Sequence, residues 1–396
     1  MPPRAISLPL EIAEQVLRGR PVLEMARIPA AAGLEPGRPL ILLDARGSAL
    51  GSGVADPENE IVRVLTRETV DSFDLSFFRR RVEAAFRLRT ALGLPGPDAA
   101  FRLLNGEGDD LSGFTADSHG EHVVLYVYSR GLVPLGRLVA AAILEVTGSR
   151  SVVLKVRPRG GARPGQPQQE VLGDEPPEKL VVCEYGIPFE VHLLSGLNVG
   201  LFTDMREHRS NLRRFVAGRR VLNTFAYTGA LSVASALAGA TAVTSVDLSS
   251  GVLKWAKENF RLSGIDPESG GHRFEATDVL RFLKAESERG AAYDTIILDP
   301  PTYSAARAAG WSMKNDYPEL IATAAGLLPR GGTGFLWVSA NAHRGRSLLR
   351  HVEDGFALAG RTARVLEIGG LPPDYPTPLS YPEGRYLEVC YLEVGG

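Results

Sequence analysis

Residues 221–229 read Val221-Leu222-Asn223-Thr224-Phe225-Ala226-Tyr227-Thr228-Gly229, and the organisation of the whole chain is worked out from them. The stretch opens on apolar residues suited to a buried strand. It closes on a glycine, which lets backbone approach a ligand closely. A helical pattern then runs to Leu237. Strand, tight turn and helix in that order make half of a βαβ unit. The turn lacks the G-x-G-x-x-G spacing of dinucleotide sites and the lysine of a P-loop. Dinucleotides and nucleoside triphosphates are therefore disfavoured as its ligands.

The same alternation continues toward the C-terminus. Strands are expected at Ala242–Asp247, Arg273–Thr277, Tyr293–Leu298 and Thr333–Val338, with helices ending near Leu262, Glu288 and Ala359 and one starting after Tyr317. Apolar strands alternating with helices predict a parallel sheet covered on both faces. A last strand, Tyr386–Glu393, reads as antiparallel to the others. Ligands of such sheets bind beyond the carboxyl ends of the strands, and acids recur at those ends. Asp247, followed by Leu248 and Ser249, is placed to accept both hydroxyls of a ribose. Asp278, beside Val279, is placed to accept the exocyclic amine of an adenine while a neighbouring amide meets a ring nitrogen. Either acid would also serve as an ordinary helix N-cap. Asp299-Pro300-Pro301-Thr302-Tyr303 makes a stiff rim at the fourth strand end, where proline removes donors and leaves carbonyls open.

Before this region the pattern differs. Residues 1–70 predict short strands with one helix, compatible with a small β-barrel. Ser76–Leu92 carries helical periodicity, as does Leu135–Val146, with strands expected at Phe101–Leu104, Glu121–Tyr128 and Ser151–Val156. Pro158–Pro177, rich in Pro, Gly and Gln, reads as a loop or linker. A chain of 396 residues with 44% hydrophobic and 23% charged residues has the balance of a folded soluble protein of two or three domains. A net charge of −2 makes no global case for nucleic acid. The two cysteines, Cys183 and Cys390, show no metal-ligand spacing, so no metal is expected and a reducing cytoplasm fits. No run of about 18 apolar residues predicts a membrane span.

Taken together and in register, these motifs resemble the bacterial class I 23S ribosomal RNA base methyltransferases, the RlmI/RlmK-like family. The strings that carry the likeness are Gly200 to Arg209, "VLNTFAYTGALSV", "SVDLS", "DPPTYS", and the terminal "PDYPTP" and "YPEGRYLEV". Arg102 to Gly120 is similar to the family's central-domain signature. The resemblance implies an α/β fold: a Rossmann-like class I methyltransferase domain with an N-terminal PUA-like β-barrel and a central α+β domain. The expected boundaries are 1–70 (RNA-binding), 71–190 and 191–396. It implies S-adenosyl-L-methionine as cofactor and RNA, 23S rRNA in particular, as partner. The cofactor-binding candidates are Asn223, Phe225, Tyr227, Thr228, Gly229, Asp247, Leu248, Ser249, Asp278, Val279 and Asp299. Asp204, Arg206 and Arg209 are implied to close over the cofactor. The chain departs from the family where Arg20-Pro21-Val22 replaces its usual His-Pro-Trp segment. Assembly as a homodimer is left open.

Two chemistries are open to such an enzyme. Cytosine C5 is a poor nucleophile and needs a thiolate added at C6. Guanine N7 has a lone pair and needs only orientation and exclusion of water. The family's cytosine branch places its cysteine where this chain has Ala340, in Val338-Ser339-Ala340-Asn341. Asn341 and Arg344 instead resemble the guanine-N7 branch. Asp299, Pro300, Pro301, Tyr303 and Asn341 are thus the catalytic candidates, with Tyr303 expected to stack on the base and Asn341 to read its edge. His343 is expected to be a surface or RNA-contact residue, and His208 a structural one. The runs Arg79-Arg80-Arg81, Arg213-Arg214 and Arg219-Arg220 are candidate phosphate contacts. The alternatives are a small-molecule or protein N-methyltransferase and a non-catalytic RNA-binding protein that keeps the fold.

Overall fold

The computed structural model describes residues 2–158, 169–269, 271–301, 303–304, 311–341 and 347–395. The chain forms two compact units. The first comprises Met1–Cys183, Val191–Val199 and Pro373–Gly384; the second comprises Glu184–Glu190, Gly200–Pro372 and Arg385–Gly396.

The first unit begins with β1 (Arg4–Ser7), α1 (Leu10–Leu17), β2 (Val22–Glu24), β3 (Pro39–Leu43), β4 (Ala49–Asp56) and β5 (Ile61–Thr66). These strands form one sheet in the order β1-β3-β4-β5-β2. Its core includes Ile6, Ile12, Val16, Leu23, Leu40 and Val62. Next comes α2 (Leu75–Ala91), capped where the Asp74 carboxylate accepts from the Phe77 amide at 2.8 Å. Then follow β6 (Ala100–Asn105), β7 (Phe114–His119), β8 (His122–Val127), α3 (Val133–Thr147), β9 (Ser151–Val156) and β10 (Gln169–Gly173). The second sheet runs β10-β9-β8-β7-β6, with β8 and β9 parallel as the intervening α3 requires. Phe77, Phe78 and Val82 of α2 and Val139 and Ile143 of α3 pack in one core with Phe114, Leu125 and Leu154 of the sheet.

One expectation changes here. Part of the anticipated loop Pro158–Pro177 is the strand β10, antiparallel to β9. Its Val171 and Leu172 are only half-buried, as an edge strand permits, so periodicity carried little signal. Residues 159–168 lie outside the described residues.

Two short strands, β11 (Leu180–Glu184) and β12 (Ile187–Val191), mark the passage into the second unit. That unit contains α4 (Arg206–Val216), β13 (Arg220–Thr224), α5 (Ala230–Leu237), β14 (Ala242–Asp247), α6 (Ser250–Leu262), β15 (Arg273–Ala276), α7 (Val279–Glu288) and β16 (Thr295–Leu298). It continues with β17 (Tyr303–Ser304), β18 (Trp311–Ser312), α8 (Met313–Gly326), β19 (Gly334–Asn341), α9 (Leu348–Ala359), β20 (Ala363–Gly369) and β21 (Leu387–Val394). Its seven-stranded sheet has the order β15-β14-β13-β16-β19-β21-β20. Strands β13 to β16 and β19 are parallel, and β21 is inserted antiparallel to both of its neighbours. This is the Rossmann-like arrangement that the sequence led us to expect. The strand order reverses between β13 and β16, where a crevice opens at the carboxyl ends. Helix α8 starts before Tyr317 rather than after it and tolerates Pro318 inside, while Tyr317 is fully buried.

Candidate active site

The turn after β13 is held from every side. The Ala226 amide donates to the Val246 carbonyl at 2.9 Å, and the Tyr227 amide to Asp247 Oδ2 at 2.9 Å. The Thr228 hydroxyl donates to the Gly200 carbonyl at 2.5 Å, and Asn259 Nδ2 to the Thr228 carbonyl at 2.8 Å. These bonds sustain an unfavourable backbone. Phe225 and Tyr227 both adopt left-handed φ, +55° and +48°, which costs bulky residues on the order of 1 kcal/mol or more each. Gly229 is also left-handed, at φ +75°, and a Cβ there would lie 2.8 Å from that of Ala256. Such over-determined strain is typical of a ligand-binding turn. Asn223 is fully buried and donates to Ser232 Oγ at 2.8 Å, so it supports the turn from beneath.

Asp247 ends β14 with Oδ1 accepting from the Ser249 amide at 3.0 Å and Oδ2 from Tyr227. A carboxylate has about four acceptor positions, so capacity remains for ribose hydroxyls. Leu248 beside it is 54% exposed, an apolar side chain at the strand end that a flat ring would cover. Ser249 caps α6 and Asp278 caps α7, accepting from the Arg281 amide at 3.0 Å. The Val279 side chain is buried in the core, so only its backbone can face a ligand.

At the end of β16, Asp299 Oδ1 accepts a short hydrogen bond from the Ser339 hydroxyl. Burial pushes the Asp299 carboxyl up to about 6, and the Asp204 charge adds to this; the Ser339 hydrogen bond and the Arg209 charge oppose it. Pro300 is buried and Pro301 exposed. Asn341 is exposed at the end of β19. The β17 backbone pairs Tyr303 with Ser312 of β18. The Tyr303 side chain, Thr302, His343 and Arg344 lie outside the described residues.

The segment before α4 divides its labour. Asp204 accepts from the Tyr386 hydroxyl at 2.8 Å. Arg209 forms a buried, two-pronged pair with Glu184 at 2.6 and 2.5 Å and donates to the Phe202 carbonyl at 2.7 Å. It thus positions Phe202, whose ring lies 5.4 Å from that of Tyr227. Arg206 is buried, 3.5 Å from Glu207, with its guanidinium 5.7 Å from the Tyr185 ring centre. His208 is held between the Tyr391 hydroxyl at 3.0 Å and the Gly370 carbonyl at 2.8 Å, as a structural histidine is.

Neither thiol is poised for attack. Cys390 lies opposite Val338 in register, in the same core as Leu336 and Ala340, and burial pushes it up to about 11. Cys183 belongs to the first unit and is likewise pushed up to about 11, first by burial. Among the described residues no three His, Cys, Asp or Glu side chains group as metal ligands, and no helix is long and apolar enough to cross a membrane.

The arginine runs are partly occupied. Arg81 donates to the Leu65 carbonyl at 2.9 Å and lies over the Phe77 ring. Arg214 pairs with Glu367, Arg219 donates to the Thr333 carbonyl at 2.9 Å, and Arg220 pairs with Asp294. Arg79, Arg80 and Arg213 stay exposed, Arg79 alongside Glu83. Ser339, Tyr317, Tyr386 and Asn259 join the site through hydrogen bonds to Asp299, Ser339, Asp204 and Thr228 that the sequence does not announce. Each is a polar residue whose partner is distant in sequence, so no local spacing marks it.

A family model described as S-adenosylmethionine-dependent methyltransferase matches residues 127–376. Ribosomal RNA large subunit methyltransferase I of Erwinia tasmaniensis is 31% identical over 360 residues, 89% of this chain and 90% of that protein. The protein of the same name from Escherichia coli K12 is 30% identical over 369 residues, 92% of each. A methyltransferase structure complexed with SAH, SMU.776, superposes with a TM-score of 0.87 at 26% identity over the full length of both chains.

Proposed function

The chain belongs to the S-adenosylmethionine-dependent methyltransferases, and from that premise we propose that it methylates a base of large-subunit ribosomal RNA, at guanine N7. The residues present suit the cofactor. Asp247 offers acceptors for a ribose, Leu248 an apolar surface for a purine, and Asp278 with the Val279 amide an acceptor and a donor for an adenine edge. When bound, S-adenosylmethionine supplies a methyl group on a cationic sulfur.

What the chain's own residues do follows from their chemistry. Asp299 accepts from the N–H groups of the target base and fixes its orientation. Asn341, at the neighbouring strand end, reads a second edge. No general base is required, because guanine N7 carries no proton and its lone pair attacks directly. The observation that carries the choice of atom is Ala340. It stands where the family resemblance implies that the cytosine branch carries its thiol, and Cys390, on the neighbouring strand, is buried with its thiol pushed up to about 11. The names of the relatives from Erwinia tasmaniensis and Escherichia coli support ribosomal RNA as substrate. The N-terminal sheet, read as a PUA-like module, and the exposed Arg79 and Arg80 are the proposed RNA contacts.

The substrate class is tested by transfer of label from S-adenosylmethionine to deproteinised rRNA from a strain lacking the enzyme, beside free nucleosides and small amines. Labelling confined to RNA is expected. Labelling of small amines with none in RNA would overturn the proposal.

A further inference from the structure

We infer that Ser339 is a positioning residue for methyl transfer: its hydroxyl holds one oxygen of Asp299 and keeps that carboxylate anionic, so that the other oxygen is presented to the target base. This rests on the reading of Asp299 as the acceptor for the base.

The geometry runs through three elements of the second unit. β16 and β19 are parallel neighbours, with Leu298 opposite Val338. Asp299 and Ser339 therefore stand side by side one residue further on, where the Ser339 hydroxyl donates to Asp299 Oδ1. Ser339 is itself buried, at 1% exposure, and is held from α8, where the Tyr317 hydroxyl donates to the Ser339 carbonyl at 2.6 Å. No described residue donates to Asp299 Oδ2.

The electrostatics make that single hydrogen bond consequential. The groups acting on Asp299 are the Asp204 carboxylate before α4, the Arg209 guanidinium on α4, the Ser339 hydroxyl on β19 and the Tyr317 phenol on α8. Asp204 opposes the anion. Arg209 favours it, but is already committed to Glu184. Tyr317 is kept neutral by burial and spends its proton on Ser339, not on Asp299. Ser339 is thus the one neutral donor on the carboxylate among the described residues. A protonated Asp299 would carry its proton on the oxygen that must accept from the base, since Ser339 occupies Oδ1, and an unheld carboxylate would rotate.

The test compares wild type with Ser339→Ala, Ser339→Thr and the pair Ser339→Ala/Asp299→Asn. Two readouts are taken: the pH profile of kcat on rRNA, and the pH dependence of unfolding of the cofactor-free protein. In Ser339→Ala the acidic limb of the kcat profile is expected to move up by about one pH unit, a tenfold change in proton affinity of the kind one charged hydrogen bond supplies. Activity should largely return at high pH, and Ser339→Thr, which keeps the hydroxyl, should restore the wild-type profile. The unfolding profile should shift in the same sense, and the shift should vanish in the Asp299→Asn background. An unchanged profile in Ser339→Ala, a loss equal at every pH, or a shift that persists without the Asp299 carboxyl would overturn the inference. If wild type leaves rRNA unmethylated, the proposed function fails, and the unfolding readout still decides whether Ser339 acts on Asp299.

Discussion

Asp299 gives a prediction in which stability and activity move in opposite directions. Burial raises its folded-state value from 3.8 to about 6, so the fold keeps a carboxylate charged against its surroundings at neutral pH. A displacement of about two pH units corresponds to about 3 kcal/mol of unfavourable folding free energy above pH 6. Asn in its place carries no charge, and its carbonyl can still accept from Ser339. Asp299→Asn should therefore stabilise the second unit by up to about 3 kcal/mol at pH 7.5, while abolishing methyl transfer. The sign follows from proton uptake. Between pH 4 and 6 the folded wild type binds more protons than the unfolded chain, so its stability falls as pH rises through that window. The gain from Asn should be near zero at pH 4 and grow to its full size by pH 7. The assay is urea unfolding followed by tryptophan fluorescence. All three tryptophans, Trp255, Trp311 and Trp337, belong to the second unit, so the signal reports that unit alone. A variant less stable than wild type at pH 7.5, or a gain independent of pH from 4.5 to 8, would refute the reasoning.

Other expectations are equally specific. Asp247→Ala removes the acceptor for the Tyr227 and Ser249 amides as well as for a ribose, and should weaken S-adenosylmethionine binding about 10- to 100-fold by calorimetry. Glu184→Ala strands the buried Arg209 guanidinium and should destabilise the tryptophan-reported transition by roughly 3–5 kcal/mol; a change under 1 kcal/mol would show the pair to be dispensable. The double variant Cys183→Ser/Cys390→Ser should retain methyl transfer, whereas its loss, with a covalent RNA adduct seen in a single variant, would restore a thiolate mechanism.

Much of the second unit was legible because its signals are local. The strands ending at Thr224, Asp247 and Leu298 are short apolar runs, the first two followed directly by a helix and the third by α8 after β17 and β18, and a parallel sheet places their ends together without further information. Asp247 and Asp299 followed from counting those strands. What escaped was non-local or lay at edges. Strand β20 exposes Val365, Leu366 and Ile368, so burial imposed no alternation on it. Ser339 looked like any small residue until β16 lay beside β19. The arginines show how little a basic run says by itself, since Arg81, Arg219 and Arg220 read as candidate phosphate contacts and each also bonds within its own unit. Arg89 and Arg102 show the same effect in the first unit. Arg89 donates to Asp109 and to the Asp374 carbonyl, and the Arg102 amide to the Asp374 carboxylate. The segment Pro373–Gly384 therefore joins the first unit although it follows the catalytic strands in sequence.

The central claim is that a ring nitrogen of guanine, not a thiolate-activated carbon, receives the methyl group. Nucleoside mass spectrometry of rRNA methylated by the purified enzyme tests it most directly. The account predicts 7-methylguanosine as the new nucleoside, whereas 5-methylcytidine in its place would contradict the account and require a nucleophile other than the residue at position 340.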